Sequence, residues 1–343
     1  MRRTDRPRAP APGADRVSPT HDPSRGDAVI SEFAKQFWPA TVDGLTLGSI
    51  YALIALGYTL VYGVLRLINF AHSEIFMLGT LGALFAASLL GYHAGDATPA
   101  LTGLVVFLIV GTLFAATLAG GGAILLERLA YRRLRHRGAG RLAALISAIG
   151  ASFAMQEMFA LRYGRDALQF PRVLDKNRLF SLFDANVRAD KVVVFVSAVV
   201  MMLLLDQFVQ RTRLGRGIRA VAQDPETATL MGVDIDRVVV LTFLLGGIMA
   251  GVAGVLFEVF RETTRFNVGF LYGIKAFTAA VLGGIGNLRG ALVGGLVLGV
   301  MENYGAAIFG NQWRDVVAFV LLVVVLMFRP TGILGESLSQ GRA

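Results

Sequence analysis

Two ionisable side chains interrupt apolar runs late in this chain, Lys275 within Val268 to Leu282 and Glu302 within Gly290 to Phe309. A charge at membrane depth is costly unless it is paired or faces a water-filled path. Lys275 and Glu302 therefore pair with each other, or with Glu258 or Glu74, as a structural ion pair, or they meet a zwitterionic solute directly. A second polar group, Asn69, His72, Ser73 and Glu74, follows the first apolar run directly. Polar groups inside a bilayer must be hydrogen-bonded or line a cavity. That predicts a broken or re-entrant helix near a translocation route, with an interfacial turn as the plainer alternative. Gly283, Gly284 and Gly286, with Asn287, break the chain between the two late runs. This break suits unwound backbone lining a cavity, or an ordinary tight turn. Asn69, His72, Glu74, Lys275, Asn287 and Glu302 are thus the candidate pathway residues. The four histidines (His21, His72, His93, His136) are far apart and cysteine is absent, so neither a catalytic metal nor thiolate chemistry is expected.

The segment Arg211 to Arg237, RTRLGRGIRAVAQDPETATLMGVDIDR, is of another kind. It lies between apolar runs yet reads like soluble protein. Asp224-Pro225 forms a helix start, with Asp as N-cap and Pro at the first helical position. Glu226 adds negative charge to that first turn, and Gly232 is placed to end the helix. Upstream, Leu214, Ile218, Val221 and Ala222 share one helical face, and Arg213, Arg216 and Arg219 the other. Two short amphipathic helices with a bend at Asp224 are expected, either docking a partner or lying on lipid headgroups.

These residues sit in a chain of 343 residues, 55% hydrophobic and 17% charged, with 40 glycines. That charge fraction is low for a soluble domain, and abundant glycine suits closely packed membrane helices. The expected fold is an all-α polytopic membrane protein with eight or nine spans, since about 20 apolar residues cross the hydrocarbon core. The expected spans are Gly44–Leu65, Ile75–Tyr92, Ala97–Leu126, Leu142–Leu161 (interrupted by Glu157), Val192–Leu205 extending to Val209, Val238–Phe257, Val268–Leu282, Gly290–Phe309 and Val316–Phe328. Glycine pairs four apart (Gly247/Gly251, Gly290/Gly294, Gly295/Gly299) are read as packing positions. The domain reading is a disordered polar tail over 1–35, a transmembrane domain over 36–335 and a C-terminal tail over 336–343. No signal peptide is visible at the start.

The net charge of +9 does not indicate nucleic acid, because the charges fall between apolar runs and no soluble basic domain holds them. They set topology instead. Arg128, Arg132, Arg133, Arg135, Arg137 and Arg141 lie between the third and fourth spans, and Arg211, Arg213, Arg216, Arg219 and Arg237 between the fifth and sixth. Both loops are expected in the cytoplasm. Counting back places the N-terminus outside, which the six arginines of the tail oppose; a re-entrant segment near Asn69 would resolve the conflict. The loop 163–190 is then external, a small folded element or a plain loop, with Asp166, Asp175, Asp184 and Asp190 offsetting its basic residues.

Arg211-Thr212-x-x-Gly215-Arg216-x-x-Arg219-Ala220, followed by Asp224, Ala228 and Gly232, resembles the loop that permease subunits of ABC importers present to their ATPase. Three further blocks resemble the branched-chain amino acid permeases of the LivH/LivM family: Gly44-Leu45-Thr46-Leu47-Gly48-Ser49-Ile50-Tyr51-Ala52-Leu53 through Gly57-Tyr58 to Ile68-Asn69-Phe70-Ala71-His72, then Lys275 to Gly286, then Pro330-Thr331-Gly332-Ile333-Leu334-Gly335. The resemblance runs in order from Gly44 to Gly335 and is nearer the LivH type. It departs in the long N-terminal tail and in Ser73, where glycine is expected. It implies a non-enzymatic inner-membrane permease subunit that moves branched-chain or related amino acids. The implied partners are ABC ATPase subunits, an external (periplasmic) substrate-binding protein, the lipid bilayer, and a homologous LivM-like permease or a second copy. Gly215, Arg216, Arg219, Asp224, Pro225, Glu226 and Gly232 would form the ATPase-coupling loop, 210–237. No G-x-x-x-x-G-K-[ST] stretch occurs, so no cofactor is expected on this chain and ATP would be used by partner subunits. A urea or short-chain amide permease of the same family is the nearest alternative. An ion-coupled secondary transporter is a more distant one.

Overall fold

The computed structural model describes residues 24–182, 185–329 and 331–335. Residues 1–23 of the expected tail, Asp184, Pro330 and the expected C-terminal tail 336–343 lie outside the described residues. Helix α1 spans Ser24–Leu65, so residues 24–35, expected as tail, continue the first helix instead. Its 42 residues measure ~63 Å at 1.5 Å per residue, about twice the hydrocarbon core. The remaining helices are α2 (His72–Leu89), α3 (Leu101–Leu126), α4 (Arg132–His136), α5 (Arg141–Tyr163), α6 (Ala189–Arg211), α7 (Arg213–Gln223), α8 (Pro225–Leu230), α9 (Ile235–Arg261), α10 (Val268–Gly283), α11 (Leu288–Phe309) and α12 (Arg314–Phe328). Eight helices among the described residues are long and apolar enough to cross a membrane. The ninth expected span, α10, has 16 residues and is short for a full crossing.

The centre of the bundle is α1, α2, α9, α10 and α11. Their contacts are made by small residues, because without a hydrophobic drive between helices in lipid the close approach of backbones supplies the attraction. Gly48 of α1 faces Gly295 of α11 so closely that a Cβ there would lie 2.6 Å from the Gly295 carbonyl. Gly247 and Gly251 of α9 meet the backbone of α3 at Ala119 and Ala115 in the same way. The expected packing role of the glycine pairs is what the helices use.

The basic segments gather at one end of the bundle. Arg128, Arg132, Arg133 and Arg135 do not lie in a loop: a π-helical turn, Glu127–Tyr131, carries the helix into α4, and Arg137 lies in the short turn before α5. Arg132, Arg135 and His136 reach Asp236, at the start of α9, at 3.1, 2.6 and 3.0 Å. Arg66, just past α1, donates to the Ala222 carbonyl of α7 at 3.1 Å, so α1 ends at this basic end too. Arg66 has a φ of 51°, in the left-handed region where side chains are rarely placed. It turns the chain back into the bundle, and α2 begins buried beside α1, with the His72 ring against Tyr58 at 4.9 Å. The chain thus breaks near Asn69, but α1 and α2 are each long and apolar enough to count as a span, and Asp43, far up α1, pairs with Lys191 at the start of α6, at the end opposite the arginines.

That opposite end carries a small folded element in the 163–190 segment. β1 (Leu168–Gln169) pairs antiparallel with β4 (Thr263–Thr264), and β2 (Arg178–Leu182) with β3 (Ala185–Arg188). Arg188 forks onto the buried Asp190 at 3.0 and 2.6 Å, which raises its pKa above the ordinary arginine value.

Candidate functional site

The segment after α6 folds as two capped helices. Thr212 opens α7 by accepting the Gly215 N–H at 2.9 Å. A Cβ on Gly215 would collide with the carbonyls of Phe208 and Val209, so this glycine lets α7 lie tight against the end of α6. Ile218 and Val221 are buried inward, while Arg213 and Arg216 are exposed. Arg219 bends back to the Gln210 carbonyl at 3.2 Å, tying α7 to α6. Asp224 is the extended hinge between the two helices, with φ −150° and ψ 106°. Its carboxylate accepts the Glu226 N–H at 3.0 Å and the Thr227 hydroxyl. Those bonds, the Thr227 hydroxyl first, hold the carboxyl below its ordinary pKa. Pro225 takes the first helical position. Gly232 ends α8 with a φ of 82°, and the Val233 N–H closes the cap on the Ala228 carbonyl at 3.0 Å.

Of the apolar face of α7, Ile218 and Val221 are buried whereas Leu214 is 57% exposed, and Leu230 and Met231 of the same segment are 86% and 80% exposed. Three large apolar side chains thus project from a polar, membrane-external segment. Helix periodicity could not show this, because it takes the tight α6–α7 turn at Gly215 to decide which side of α7 faces the bundle.

The buried candidates separate into two clusters. Lys275 pairs with Glu302 at 2.8 Å and with Asp315 at 2.6 Å. Arg314 adds a 3.7 Å contact to Glu302 and donates to Asn303 at 3.1 Å. The Lys275 ammonium also lies 5.8 Å from the Tyr51 ring centroid. Two cations and two carboxylates join α10, α11 and α12 with no net charge. Of the partners offered by sequence, Glu302 is the one used; Glu74 and Glu258 are not. Asp315 and Arg314 went unnoticed because they lie at the start of an apolar run, where a charge attracts no attention.

The second cluster surrounds Glu74. One carboxylate oxygen accepts from Ser73 at 3.1 Å, Ser152 at 3.1 Å and Gln156 at 2.8 Å. The other has no hydrogen-bond partner among the described residues. Glu74 lies in the first turn of α2, and the first turn of α10 abuts it, since a Cβ on Gly269 would be 2.9 Å from it. Two helix N-termini therefore direct their positive ends at this carboxylate. Asn69 accepts the Tyr131 hydroxyl at 3.0 Å, and the His72 Nε2 is buried without a partner among the described residues. Asn287 joins neither cluster. It caps α11 by accepting from Arg289 and Gly290 at 3.0 and 3.2 Å, and donates to the Leu334 carbonyl at 2.9 Å. The glycine break beside it holds the C-terminal segment, with Ile333 bonded to the Leu282 carbonyl.

A handle at one end and buried charge inside a helical bundle are the parts a transport subunit needs. The family described as "Branched-chain amino acid transport system / permease component" matches residues 40–326 of this chain. The chain belongs to that family. Among the relatives of this permease, the high-affinity branched-chain amino acid transport system permease protein BraD of Pseudomonas aeruginosa is 45% identical over 86% of this chain and 94% of its own length. The corresponding LivH protein of Salmonella typhimurium is 40% identical over 90% of this chain and 98% of its own length. A probable LivH protein of Methanocaldococcus jannaschii is 29% identical over 84% of this chain and 89% of its own length. This chain is accordingly a multi-pass membrane permease component.

Proposed function

We propose that this permease carries branched-chain or related amino acids inward across the inner membrane, as one subunit of an ATP-driven importer. The basic end faces the cytoplasm, as the clustering of arginines there favours. A separate ATPase subunit docks on α7 and α8, and an external binding protein delivers the amino acid at the opposite end. A homologous permease or a second copy completes the pathway. This chain binds no cofactor of its own.

The observation that carries the reading is the exposure of Leu230 and its neighbour Met231, with Leu214, on a doubly capped segment between α6 and α9. Adjacent large apolar groups exposed on a polar segment mark contact sites. The ties from this segment to α6 through Arg219 and to α1 through Arg66 would pass a push on it into the bundle. Glu74, at two helix N-termini and against α5, and the Lys275–Glu302 pair, between α10 and α11, are the groups such a push would rearrange. In proteoliposomes with the partner ATPase and binding protein, Leu230→Ser/Met231→Ser should abolish substrate-stimulated ATP hydrolysis while binding-protein affinity stays normal. Full stimulation in that variant would remove the docking role. Uptake of leucine driven by an ion gradient with this chain alone would remove the ATP-driven reading.

A further inference from the structure

A cleft of about 1110 Å³ separates α3 from α5, with Leu78 of α2 among its lining residues. Its walls include Phe114, Gly121 and Leu125 of α3, Leu129 of the π turn, and Gly150 and Ala151 of α5. Gly121 and Gly150 differ from the glycines at the helix contacts described above: a Cβ on either would meet nothing. They are small residues facing open space, where neighbouring helices elsewhere in the bundle close the gap. The α3 side of the cleft then changes character along the chain. Gly121, Leu125 and Leu129 line the cleft, and from the π turn through α4 the chain lines a second pocket, of about 480 Å³, wholly with Arg128, Arg132, Arg133, His136 and Arg137. Arg132 and His136 are held by Asp236. Arg128, Arg133 and Arg137 are exposed and make no ion pair among the described residues.

We infer that this cleft binds an anionic phospholipid, its phosphate on Arg128, Arg133 and Arg137 and its acyl chains along Leu129, Leu125 and Gly121 and against α5. The charge decides the occupant. A homologous permease carries its own arginines at the same end by the rule that orients both chains, so its helix would set cation against cation. An anionic headgroup supplies the missing negative charge, and its chains match the apolar walls.

The test uses the full chain in detergent, incubated with palmitoyl-oleoyl phosphatidylglycerol or phosphatidylcholine, with bound lipid counted by native mass spectrometry. Phosphatidylglycerol should be retained in preference to phosphatidylcholine. Arg128→Gln/Arg133→Gln/Arg137→Gln should lower phosphatidylglycerol retention by at least roughly tenfold, because each cation near such a surface contributes about fivefold. The corresponding triple Lys variant should keep the preference. Gly150→Leu, and independently Gly121→Leu, should lower retention of both lipids, since a Cβ at either position meets nothing and the side chain extends into the cleft. Glycerol 3-phosphate in excess should not displace the lipid. Equal retention of the two lipids, a preference that survives the Gln variant, or displacement by glycerol 3-phosphate would each overturn the assignment. So would a Gly150→Leu variant that elutes like wild type with its lipid intact, or one that loses only a co-purifying second permease.

Discussion

The Lys275 cluster and the Glu74 cluster look alike in the sequence and differ in kind in the structure. Each is a buried charge in an apolar setting. Lys275 and Glu302 neutralise each other, with Asp315 and Arg314 completing a balanced set across three helices. Glu74 has no cation among the described residues. It is held by two hydroxyls, an amide and two helix N-termini, with one oxygen left unpartnered. A balanced pair resists change, because removing one partner strands the other. A carboxylate held by neutral donors on separate helices can exchange those donors when the helices move. The first arrangement suits a joint and the second a moving part.

The largest effect expected is therefore at the joint. Lys275→Met should destabilise the folded chain by about 3–5 kcal/mol, the usual cost of stranding a buried carboxylate, seen as loss of monodisperse protein and a lower unfolding temperature in detergent. The comparison sharpens at Glu74→Gln, which keeps the shape and an acceptor for Ser152. Its stability should change by no more than about 1 kcal/mol, while uptake in proteoliposomes falls several-fold. Equal destabilisation by Glu302→Gln and Glu74→Gln would erase the distinction between the two clusters. A smaller effect is expected outside the bundle. Gly232→Ala forces a side chain into the left-handed region at a cost of about 1 kcal/mol, and should weaken ATPase stimulation without altering helix content. The smallest is pH-dependent. The Asp224 carboxyl is held below its ordinary pKa, so its cap is complete above the ordinary carboxylate range and is lost as pH falls through its lowered value. Asp224→Asn should remove that acid dependence of ATPase stimulation and leave the value at neutral pH nearly unchanged.

Much of this architecture is legible without coordinates. The apolar runs locate the helices because each is long enough to cross a bilayer, and the small-residue pairs locate their contacts. Asp224, Pro225 and Gly232 mark the ends of α8 because capping is local chemistry between residues two to five apart. The misses share a cause. The extension of α3 through the π turn was read as a loop because its arginines mask continuing helix. Residues 24–35 were read as tail because composition there shows no apolar run. The direction of Leu214 was left open because periodicity defines a face but not which way it points. Asp236, which gathers Arg132, Arg135 and His136, and Asp315, which shares Lys275, are single acids whose partners lie about a hundred residues upstream in the first case and about forty in the second.

By itself the sequence determined the helical membrane class, the end where positive charge collects, the capped segment 211–237 and the family. The first three follow from short-range rules (transfer of apolar stretches, charge bias beside spans, hydrogen bonds within one turn), and the family from the resemblance of its sequence blocks. Only the tertiary structure decided that Lys275 takes Glu302 and Asp315 while Glu74 goes without a cation, that Asn287 is a cap, and that Leu214, Leu230 and Met231 face outward. A buried charge has many possible partners along the chain, and which one lies within hydrogen-bonding reach depends on how whole helices pack.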